Sequence, residues 1–401
     1  MRAVLTGLHS AGLLAEFATT LAFWPSSAWL RCFPATTRLE LLRRSYDIPR
    51  ALVHTRPLRE AMRLSAERGF LSGLTRRETG WASADAIYRD LDSHVAQRLA
   101  GTQGLRGVYA YEDGAFHSFE SAEQLGLKRF YDLPIAYWKV ARQLIQNEAA
   151  RLPEWAGTMT GNLDSEEKLS RKDEELRRAD VVFCPSGFVA DSLPEPARRT
   201  SEIVVAPFGS PAIHEQVTKD GVGRSRKLRV LFAGSMSQRK GLADLFAAVR
   251  QLGRSDIELV VMGSAIAPME FYRRECPDFV YEPTRPHSEV LRLMQSCDVL
   301  ALPSIVEGRA LVMQEAMSQG LPVLITPNTG GEDLVEDGKA GFLVPIRSPE
   351  MIADRLAWFA DHREDTRAMG ESARAKAATY TWVDYGAKVA TAIKQHLARR
   401  S

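Results

Sequence analysis

Cysteine is scarce and scattered in this chain, and this excludes two ways of holding a fold together. The four cysteines are far apart, at Cys32, Cys184, Cys276 and Cys297, with no C-x-x-C pair and no run of His and Cys. Neither a disulfide framework nor a structural zinc site is expected, and a reducing cytoplasm is the expected compartment.

Long apolar runs and an excess of one charge are also lacking. No stretch of about 18 apolar residues occurs, so no membrane-spanning helix is predicted. The 52 Lys and Arg residues nearly balance the 50 Asp and Glu residues, which gives no global reason to bind nucleic acid. With 45% hydrophobic and 25% charged residues, the 401-residue chain has the composition of a globular protein of two or three domains.

The C-terminal half alternates strand and helix patterns. Compact apolar runs predict buried parallel strands at 228–234, 257–264, 298–304 and 321–326. Apolar residues at helical spacing follow several of them, as at 240–252 and 310–320. This alternation predicts a doubly wound α/β domain over 228–380.

The N-terminal half shows the same alternation less clearly. Residues 2–7 predict a strand and residues 11–23 a helix, and further strands are predicted at 106–112, 127–134 and 181–186. We therefore predict a first Rossmann-like domain over 1–210 and a polar linker over 211–227. A last helix over 382–397 lies beyond the final strand and could cross back to the first domain.

The strongest functional signal is the segment 303–326, PSIVEGRALVMQEAMSQGLPVLIT. Glu307 follows a buried strand, and Gly308 permits a sharp turn into the next helix. Amides at such a helix N-terminus can bind a diphosphate. Glu315 lies roughly 8 Å along this helix, so the two carboxylates could accept hydrogen bonds from a sugar and from a ribose diol. The plain alternative makes Glu307 a helix-entry charge and Glu315 a solvated helix residue.

This segment resembles the E-x7-E signature of retaining glycosyltransferases whose two Rossmann-like domains face a cleft (the GT-B architecture). The closest resemblance is to the large family-4 group, the glycosyl transferases group 1, whose pattern is P-S-x-x-E-G-F-G-L-x-x-x-E-A-M-x-x-G-x-P-V. Here Arg309-Ala310 replaces the usual Phe-Gly, while Leu311 and the other pattern positions match. The resemblance covers about 200–395 well and the first half only in its layout.

The resemblance implies transfer of a sugar, with retention, from a nucleotide diphosphate sugar to a glycan, lipid-linked or small-molecule acceptor. Polysaccharide or glycoconjugate biosynthesis is the implied setting. The loop LFAGSMSQRKGL (231–242) is similar to the family's G-R-x-x-x-x-K-G loop, which implies that Lys240 and Arg239 meet the donor phosphates. Glu307 would hold the donor sugar. The implied donor-binding set is Gly234, Ser235, Gly308, Arg309, Ala310, Leu311 and Glu315.

Two features of this implied donor site depart from the family pattern. Ser235 stands where the family usually has Arg, so one expected cation is missing. The segment 326–344 matches a second family motif through Gly330, Gly331 and Glu332, but its acidic residue comes earlier than usual. No metal or other cofactor is expected, because cations and helix dipoles neutralise the leaving diphosphate in this fold.

Candidate cleft residues on the N-terminal side come from two predicted strand ends. The loop TGLHSAG would present Gly7, His9 and Gly12 towards the donor phosphates. Glu112 and Asp113 end the strand at 106–112 at the same sheet edge, and Asp132 is a weaker candidate of the same kind. The alternatives are that Glu112 and Asp113 form an ordinary acidic turn and that His9 is a surface residue without a role in binding.

One motif is typical of the other main glycosyltransferase fold, but we do not interpret it as a metal site. Asp90-Leu91-Asp92 is formally a D-x-D metal motif, but its surroundings have a helical pattern rather than a strand end. We therefore predict that Asp90 and Asp92 lie on a solvated helix face and bind no metal.

An aromatic and basic stretch near the N-terminus could contact a membrane. Its members are Phe23, Trp24, Trp29, Phe33, Arg31, Arg38, Arg43 and Arg44. Aromatic rings at head groups and cations at anionic lipid suit peripheral binding at the inner membrane face. The alternative, in which the rings pack in the core of a fully cytoplasmic protein, stays open.

Two other functions also stay open. A nucleotide-sugar epimerase of the same fold would need a base beside the sugar, and no clear candidate is present. A non-catalytic nucleotide-sugar-binding subunit is conceivable because of Ser235 and Arg309-Ala310.

Overall fold

The computed structural model describes residues 2–66, 72–159, 163–211 and 227–399. The predicted linker 211–227 lies outside the described residues except for its first and last positions, Pro211 and Lys227.

The N-terminal half contains two parallel sheets. Its strands are β1 (Phe17–Thr19), β2 (Val53–Thr55), β3 (Gly107–Tyr111), β4 (Lys128–Asp132), β5 (Val181–Cys184) and β6 (Glu202–Val205). Strands β1 and β2 pair with each other, and the larger sheet has the order β3-β4-β5-β6. Its helices are α1 (Arg2–Ser10), α2 (Ala35–Leu42), α3 (Pro57–Ala66), α4 (Ala84–Leu99), α5 (Phe116–Gln124), α6 (Trp138–Arg151), α7 (Glu166–Arg178), α8 (Gly187–Ser192) and α9 (Glu195–Thr200).

The C-terminal half is one parallel sheet covered by helices. Its strands are β7 (Leu228–Ala233), β8 (Ile257–Met262), β9 (Phe279–Glu282), β10 (Val299–Leu302), β11 (Val323–Ile325) and β12 (Gly341–Leu343). Its helices are α10 (Leu242–Leu252), α11 (Met269–Glu275), α12 (His287–Gln295), α13 (Leu311–Ser318), α14 (Pro349–Asp361), α15 (Arg363–Ala378) and α16 (Trp382–Ala398). The strand order is β12-β11-β10-β7-β8-β9, so the chain changes direction across the sheet between β7 and β10. Ligands bind at such a switch point in doubly wound sheets.

The prediction of a strand over 2–7 and a helix over 11–23 is wrong. Residues 2–10 form α1, because Val4, Leu5 and Leu8 recur at helical spacing and pack on the sheets. Gly7 lies inside this helix, and a Cβ there would overlap the carbonyl of Gly386 in α16. A glycine that resembles a strand-ending turn in the sequence therefore serves close helix packing.

Helix α16 crosses back to the first half of the chain, as the fold prediction allowed. Tyr385, Val389 and Ile393 of α16 share a buried cluster with Phe130 of β4 and Phe183 of β5. The opposite face of the same sheet carries a second buried cluster beneath α5 and α7. The predicted α/β architecture with a returning C-terminal helix is confirmed.

Candidate functional site

Two loops meet at the switch point of the C-terminal sheet. The first follows β7 and contains a single 3-10 turn, Gln238–Lys240, which ends at Gly241 with φ 77°. A side chain at 241 would overlap the carbonyl of Pro303 in the second loop, which follows β10. The amide of Ile305 donates to the carbonyl of Arg239 at 2.9 Å, so the two loops are joined through the backbone.

The predicted cations and the first predicted carboxylate come together at this point. The Nη1 of Arg239 donates to Oε1 of Glu307 at 2.8 Å, and the Nζ of Lys240 contacts the same oxygen. Burial lowers the pKa of Lys240, and Arg239 adds to this effect, while Glu307 opposes it. Two cations and one anion leave a net positive charge in a partly buried crevice, which suits an anionic ligand.

Glu315 lies one turn into α13, the helix that follows Glu307 and Gly308 in the chain, and it lines a cavity. The cavity is about 240 Å³ and is bounded by Gly209, Pro211, His287, Leu311, Glu315 and Trp382. Burial raises the pKa of Glu315, and His287, whose Nδ1 is 3.6 Å from Oε1 of Glu315, opposes this shift. The cavity is therefore lined from both halves of the chain, and one partly buried carboxylate can accept hydrogen bonds there.

Arg309 does not reach the crevice, contrary to its predicted role in donor binding. Its side chain is fully buried, and Nη1 pairs with Asp333 at 2.7 Å and donates to the carbonyl of Gly330. Its Nε donates to Oε1 of Gln314 at 2.9 Å. Gln314 in turn donates to the carbonyl of Phe208 in the first half of the chain. Arg309 thus holds the loop between β11 and β12 (residues 326–340, here called the 330 loop) and the interface between the two halves.

The backbone of Gly308 lies close to the backbone of the N-terminal half of the chain. A Cβ at 308 would overlap the carbonyl of Pro134, and Ser186 Oγ donates to the carbonyl of Gly308 at 2.6 Å. A Cβ on Gly330 would overlap that same carbonyl. The two glycines allow the loop after β10 to pack against the N-terminal half.

Glu332 also joins the two halves. Its Oε1 lies where a side chain on Gly187, the first residue of α8, would sit. Burial raises the pKa of Glu332. Negative charge is favourable at a helix N-terminus, so the position of Glu332 is explained by its contact with α8 and does not require a bound ligand.

The predicted N-terminal cleft residues fall into two groups. Gly7 and His9 belong to α1, and Gly12 follows its end with φ 66°, so the predicted glycine-rich loop after a strand is absent among the described residues 2–12. Glu112 and Asp113 do lie at the carboxyl end of β3, as predicted. Their roles in a cleft remain predictions.

Glu112 and Asp113 are engaged by the lysines of α7. The Nζ of Lys172 lies 3.5 Å from Oε2 of Glu112, and the Nζ of Lys168 lies 3.3 Å from Oδ2 of Asp113. Burial raises the pKa of Glu112 to about 7, although Lys172 opposes the shift. Asp113 has φ 73°, and its amide donates to Glu175 at 2.9 Å. These contacts fix the turn after β3.

Asp132 lies in a set of tyrosines that the sequence did not reveal. Tyr109 donates to Oδ2 of Asp132, and Tyr385 of α16 is 3.5 Å from the same oxygen. Burial raises the pKa of Asp132 to about 6, against the effect of these phenols. Nothing in the local sequence indicates Tyr385, which is 253 residues away.

The prediction that both acids of the D-x-D motif are solvated is wrong for Asp92. This side chain is buried and accepts from the amides of His117 at 2.7 Å and Ser118 at 2.9 Å. It therefore caps the first turn of α5. Asp90 pairs with Arg56 at 3.2 Å. Among the described residues, no group of three or more His, Cys, Asp or Glu side chains is arranged to hold a metal ion.

Comparisons with known proteins find relatives of this chain among the glycosyltransferases. Residues 215–376 match the family model of the glycosyl transferases group 1. WcaL of Salmonella typhimurium, named as a colanic acid biosynthesis glycosyltransferase, is 29% identical over 225 residues, which are 51% of this chain and 54% of WcaL. The chain spans about half the length of the curated relatives it matches.

Solved structures extend the likeness to most of the chain. Sucrose-phosphate synthase from Thermosynechococcus elongatus aligns with a TM-score of 0.62 at 17% identity, covering 80% of this chain and 82% of its own. HepE from Anabaena, solved with UDP, aligns with a TM-score of 0.60 at 15% identity, covering 90% of this chain and 89% of its own. The fold is GT-B, and the resemblance to the group 1 glycosyltransferases is confirmed.

Proposed function

We propose that this protein is a retaining glycosyltransferase that moves a sugar from a nucleotide diphosphate sugar to an acceptor hydroxyl. The observation that carries the proposal is the meeting of Arg239, Lys240 and Glu307 at the switch point, together with the cavity lined by Glu315 on the helix that follows Glu307. This arrangement offers cations for a diphosphate and carboxylates for hydroxyl groups at the carboxyl end of one parallel sheet.

The donor would lie along α13. Its diphosphate would meet Lys240 and Arg239 together with the amides near Leu311, and its ribose diol would meet Glu315. Glu307 would hold the donor sugar while it keeps both cations in place, since both contact its Oε1. HepE was solved with UDP, which makes UDP the first nucleotide to test.

The reaction breaks the C–O bond between the anomeric carbon and the leaving diphosphate. Positive charge develops on the sugar and negative charge on the departing oxygen, and the cations stabilise the latter. The acceptor hydroxyl forms the new C–O bond on the same face, and its proton goes to the leaving phosphate. Since Arg239 and Lys240 carry the compensating charge, no metal ion is required.

We infer that the acceptor is a glycan, a lipid-linked sugar or a small molecule used in polysaccharide or glycoconjugate biosynthesis. WcaL and the amylovoran biosynthesis glycosyltransferase AmsK of Erwinia amylovora, both similar to this chain, are named for polysaccharide synthesis.

Peripheral contact with a membrane is part of the proposal. Phe23, Trp29 and Phe33 form a row of edge-to-face rings with centroids 5.8 and 5.9 Å apart. Trp29 is 49% exposed and Phe33 41% exposed, so the row is not a core. Arg31, Arg38 and Arg43 are exposed nearby, which suits an anionic surface. No described helix is long and apolar enough to cross a bilayer.

Incubation of radiolabelled nucleotide sugars with extract of acceptor-containing cells tests the proposed function. We expect label to move from the nucleotide to an acceptor, with a retained anomeric configuration in the product. Epimerised free donor would instead support the epimerase, and binding without turnover would support a non-catalytic subunit. Lys240→Ala is the matched negative control, because it removes one phosphate-facing cation.

A further inference from the structure

A cluster of charged and polar side chains joins the two halves immediately beside the proposed donor cations; its two carboxylates, its glutamine and its threonine are buried, and its two arginines are partly exposed. Glu148 and Arg151 of α6 and Thr158 contribute from the first half. From the second half, Gln238, Asp244 and Arg347 complete the cluster. Two carboxylates and two guanidinium groups balance each other, so the cluster carries no net charge.

Gln238 is the centre of this cluster and is fully buried. Its Nε2 donates to Oε2 of Glu148 at 2.9 Å and to Oδ2 of Asp244 at 2.8 Å, and its Oε1 accepts from the amide of Ala243 at 2.9 Å. Its own amide donates to Oγ1 of Thr158 at 3.2 Å. Both side-chain donor hydrogens and the carbonyl are thus occupied, which leaves this carboxamide one orientation.

Glu148 fixes Gln238 from the other half of the molecule. It is also fully buried, and it accepts from Nη2 of Arg151 at 2.7 Å and from Nε of Arg347. Arg151 closes the ring by donating to both oxygens of Asp244 at 2.8 and 3.0 Å. Because each partner is held by at least one other, the carboxylate cannot move without breaking several bonds.

A buried indole anchors the segment that carries Thr158. Trp155, only 1% exposed, lies in the core cluster of the C-terminal sheet. Its ring centroid is 4.9 Å from that of Phe271, 5.8 Å from that of Tyr272 and 5.9 Å from that of Phe246. The first half of the chain is thereby fixed against the second next to residue 238.

We infer that Glu148 and Gln238 are positioning residues that set the geometry of Arg239 and Lys240, so that the acceptor-side half controls the diphosphate site. Gln238, Arg239 and Lys240 make up one 3-10 turn, so any shift of the Gln238 side chain is passed to the next two residues. This inference rests on the proposed function, because it takes the two cations to be the diphosphate contact.

The test compares affinity for nucleoside diphosphates and monophosphates. Calorimetry with UDP and UMP, GDP and GMP, and ADP and AMP first identifies the base that the wild-type protein binds. For that base, the ratio of diphosphate to monophosphate affinity reports on the cations. Glu148→Gln keeps the shape of the side chain but replaces one of the two carboxylate oxygens by an NH₂ group. Since Arg151 and Gln238 donate to Oε2 and Arg347 donates to Oε1, at least one of these donors then faces another donor. We expect the ratio to fall about tenfold while monophosphate affinity is unchanged.

Controls separate positioning from general damage. Glu166→Gln makes the same chemical change at an exposed ion pair with Arg142 and should leave the ratio as in the wild type. Thr158→Val removes the acceptor of the Gln238 amide together with the hydrogen bond that the hydroxyl donates to the carbonyl of Trp155, and we expect a loss of about threefold in the ratio. It serves in place of Glu148→Gln if that variant shows no cooperative unfolding transition. When Glu148→Gln is added to the Lys240→Ala variant, the ratio of diphosphate to monophosphate affinity should change little further.

The outcomes distinguish the inference from the function on which it rests. If the wild type shows no preference for any diphosphate, the proposed function fails and the inference fails with it. If Lys240→Ala abolishes the preference but the folded Glu148 and Thr158 variants retain it, only the inference is overturned. A ratio that falls only together with monophosphate affinity would indicate general loosening of the interface and would also overturn it.

Discussion

The change Glu315→Gln tests the nucleotide site most directly. Glu315 is proposed to accept hydrogen bonds from the ribose diol, and bonds to a charged acceptor are worth about 1.5–3 kcal/mol. Loss of that charge should weaken binding of the nucleotide by roughly 10- to 150-fold. Folding should be unaffected or slightly improved, because burial raises the pKa of this carboxylate and so disfavours its charged form in the folded protein.

Calorimetric titration with UDP at several pH values, alongside thermal unfolding, measures both effects. Wild-type affinity should fall as the pH falls through the raised pKa of Glu315, whereas the Gln variant should show a flatter profile. Glu289→Gln, an equal change at an exposed position of α12, is the control. If the Gln variant at 315 binds every nucleotide that the wild type binds with the same affinity, the ribose does not lie at this helix.

Three further predictions follow from charge. Activity should survive EDTA, because Arg239 and Lys240 are proposed to neutralise the leaving group, and a strict need for manganese or magnesium would contradict that mechanism. Burial raises the pKa of Asp132 to about 6, so the stability it contributes is present below pH ~4 and is lost as the pH rises through about 6. In urea titrations at several pH values, Asp132→Asn should remove at most about 3 kcal/mol of the change in the free energy of unfolding with pH. If the free energy of unfolding changes with pH equally in both proteins, the raised pKa of Asp132 is refuted. Sedimentation with anionic vesicles should show weak, salt-sensitive binding, which is reduced when Arg38 and Arg43 are changed to Gln. The same change at the exposed Arg199 and Arg292 is the control and should leave binding as it is. Equal recovery of the protein with neutral and anionic vesicles would exclude the electrostatic contact.

The C-terminal half could be predicted from sequence because its strands are buried on both faces. Continuous apolar runs placed β7, β8, β10 and β11 to within three residues at each end. Strand β9 (Phe279–Glu282) was missed, since its apolar run is only three residues long, ends at Glu282 and lies at the edge of the sheet with only Phe279 buried. Edge strands need not be apolar on both faces, and so they lack the signal that marks central ones.

The start of the chain could not be predicted because tertiary packing overrides its local pattern. The string RAVLTG has the β-branched and apolar residues of a strand, followed by a glycine at the expected turn. In the structure that glycine is a contact point between α1 and α16, where Ala3 and Gly7 lie against Gly386. The partner is almost the whole chain away, and no window of sequence around residue 7 contains it.

Motif spacing located the backbone of the candidate site better than it located the partners of each side chain. Glu307 and Lys240 meet because they follow β10 and β7, which are neighbours in the sheet. Arg309 follows the same spacing, yet its guanidinium is committed to Asp333. The family's usual Phe at that position would fill space without a charge, whereas the fully buried side chain of Arg309 needs a counter-charge, which Asp333 supplies from a partly exposed position. The substitution is therefore better explained as a pair with Asp333 that secures the 330 loop than as an added phosphate ligand, and an account of donor binding has to do without that cation.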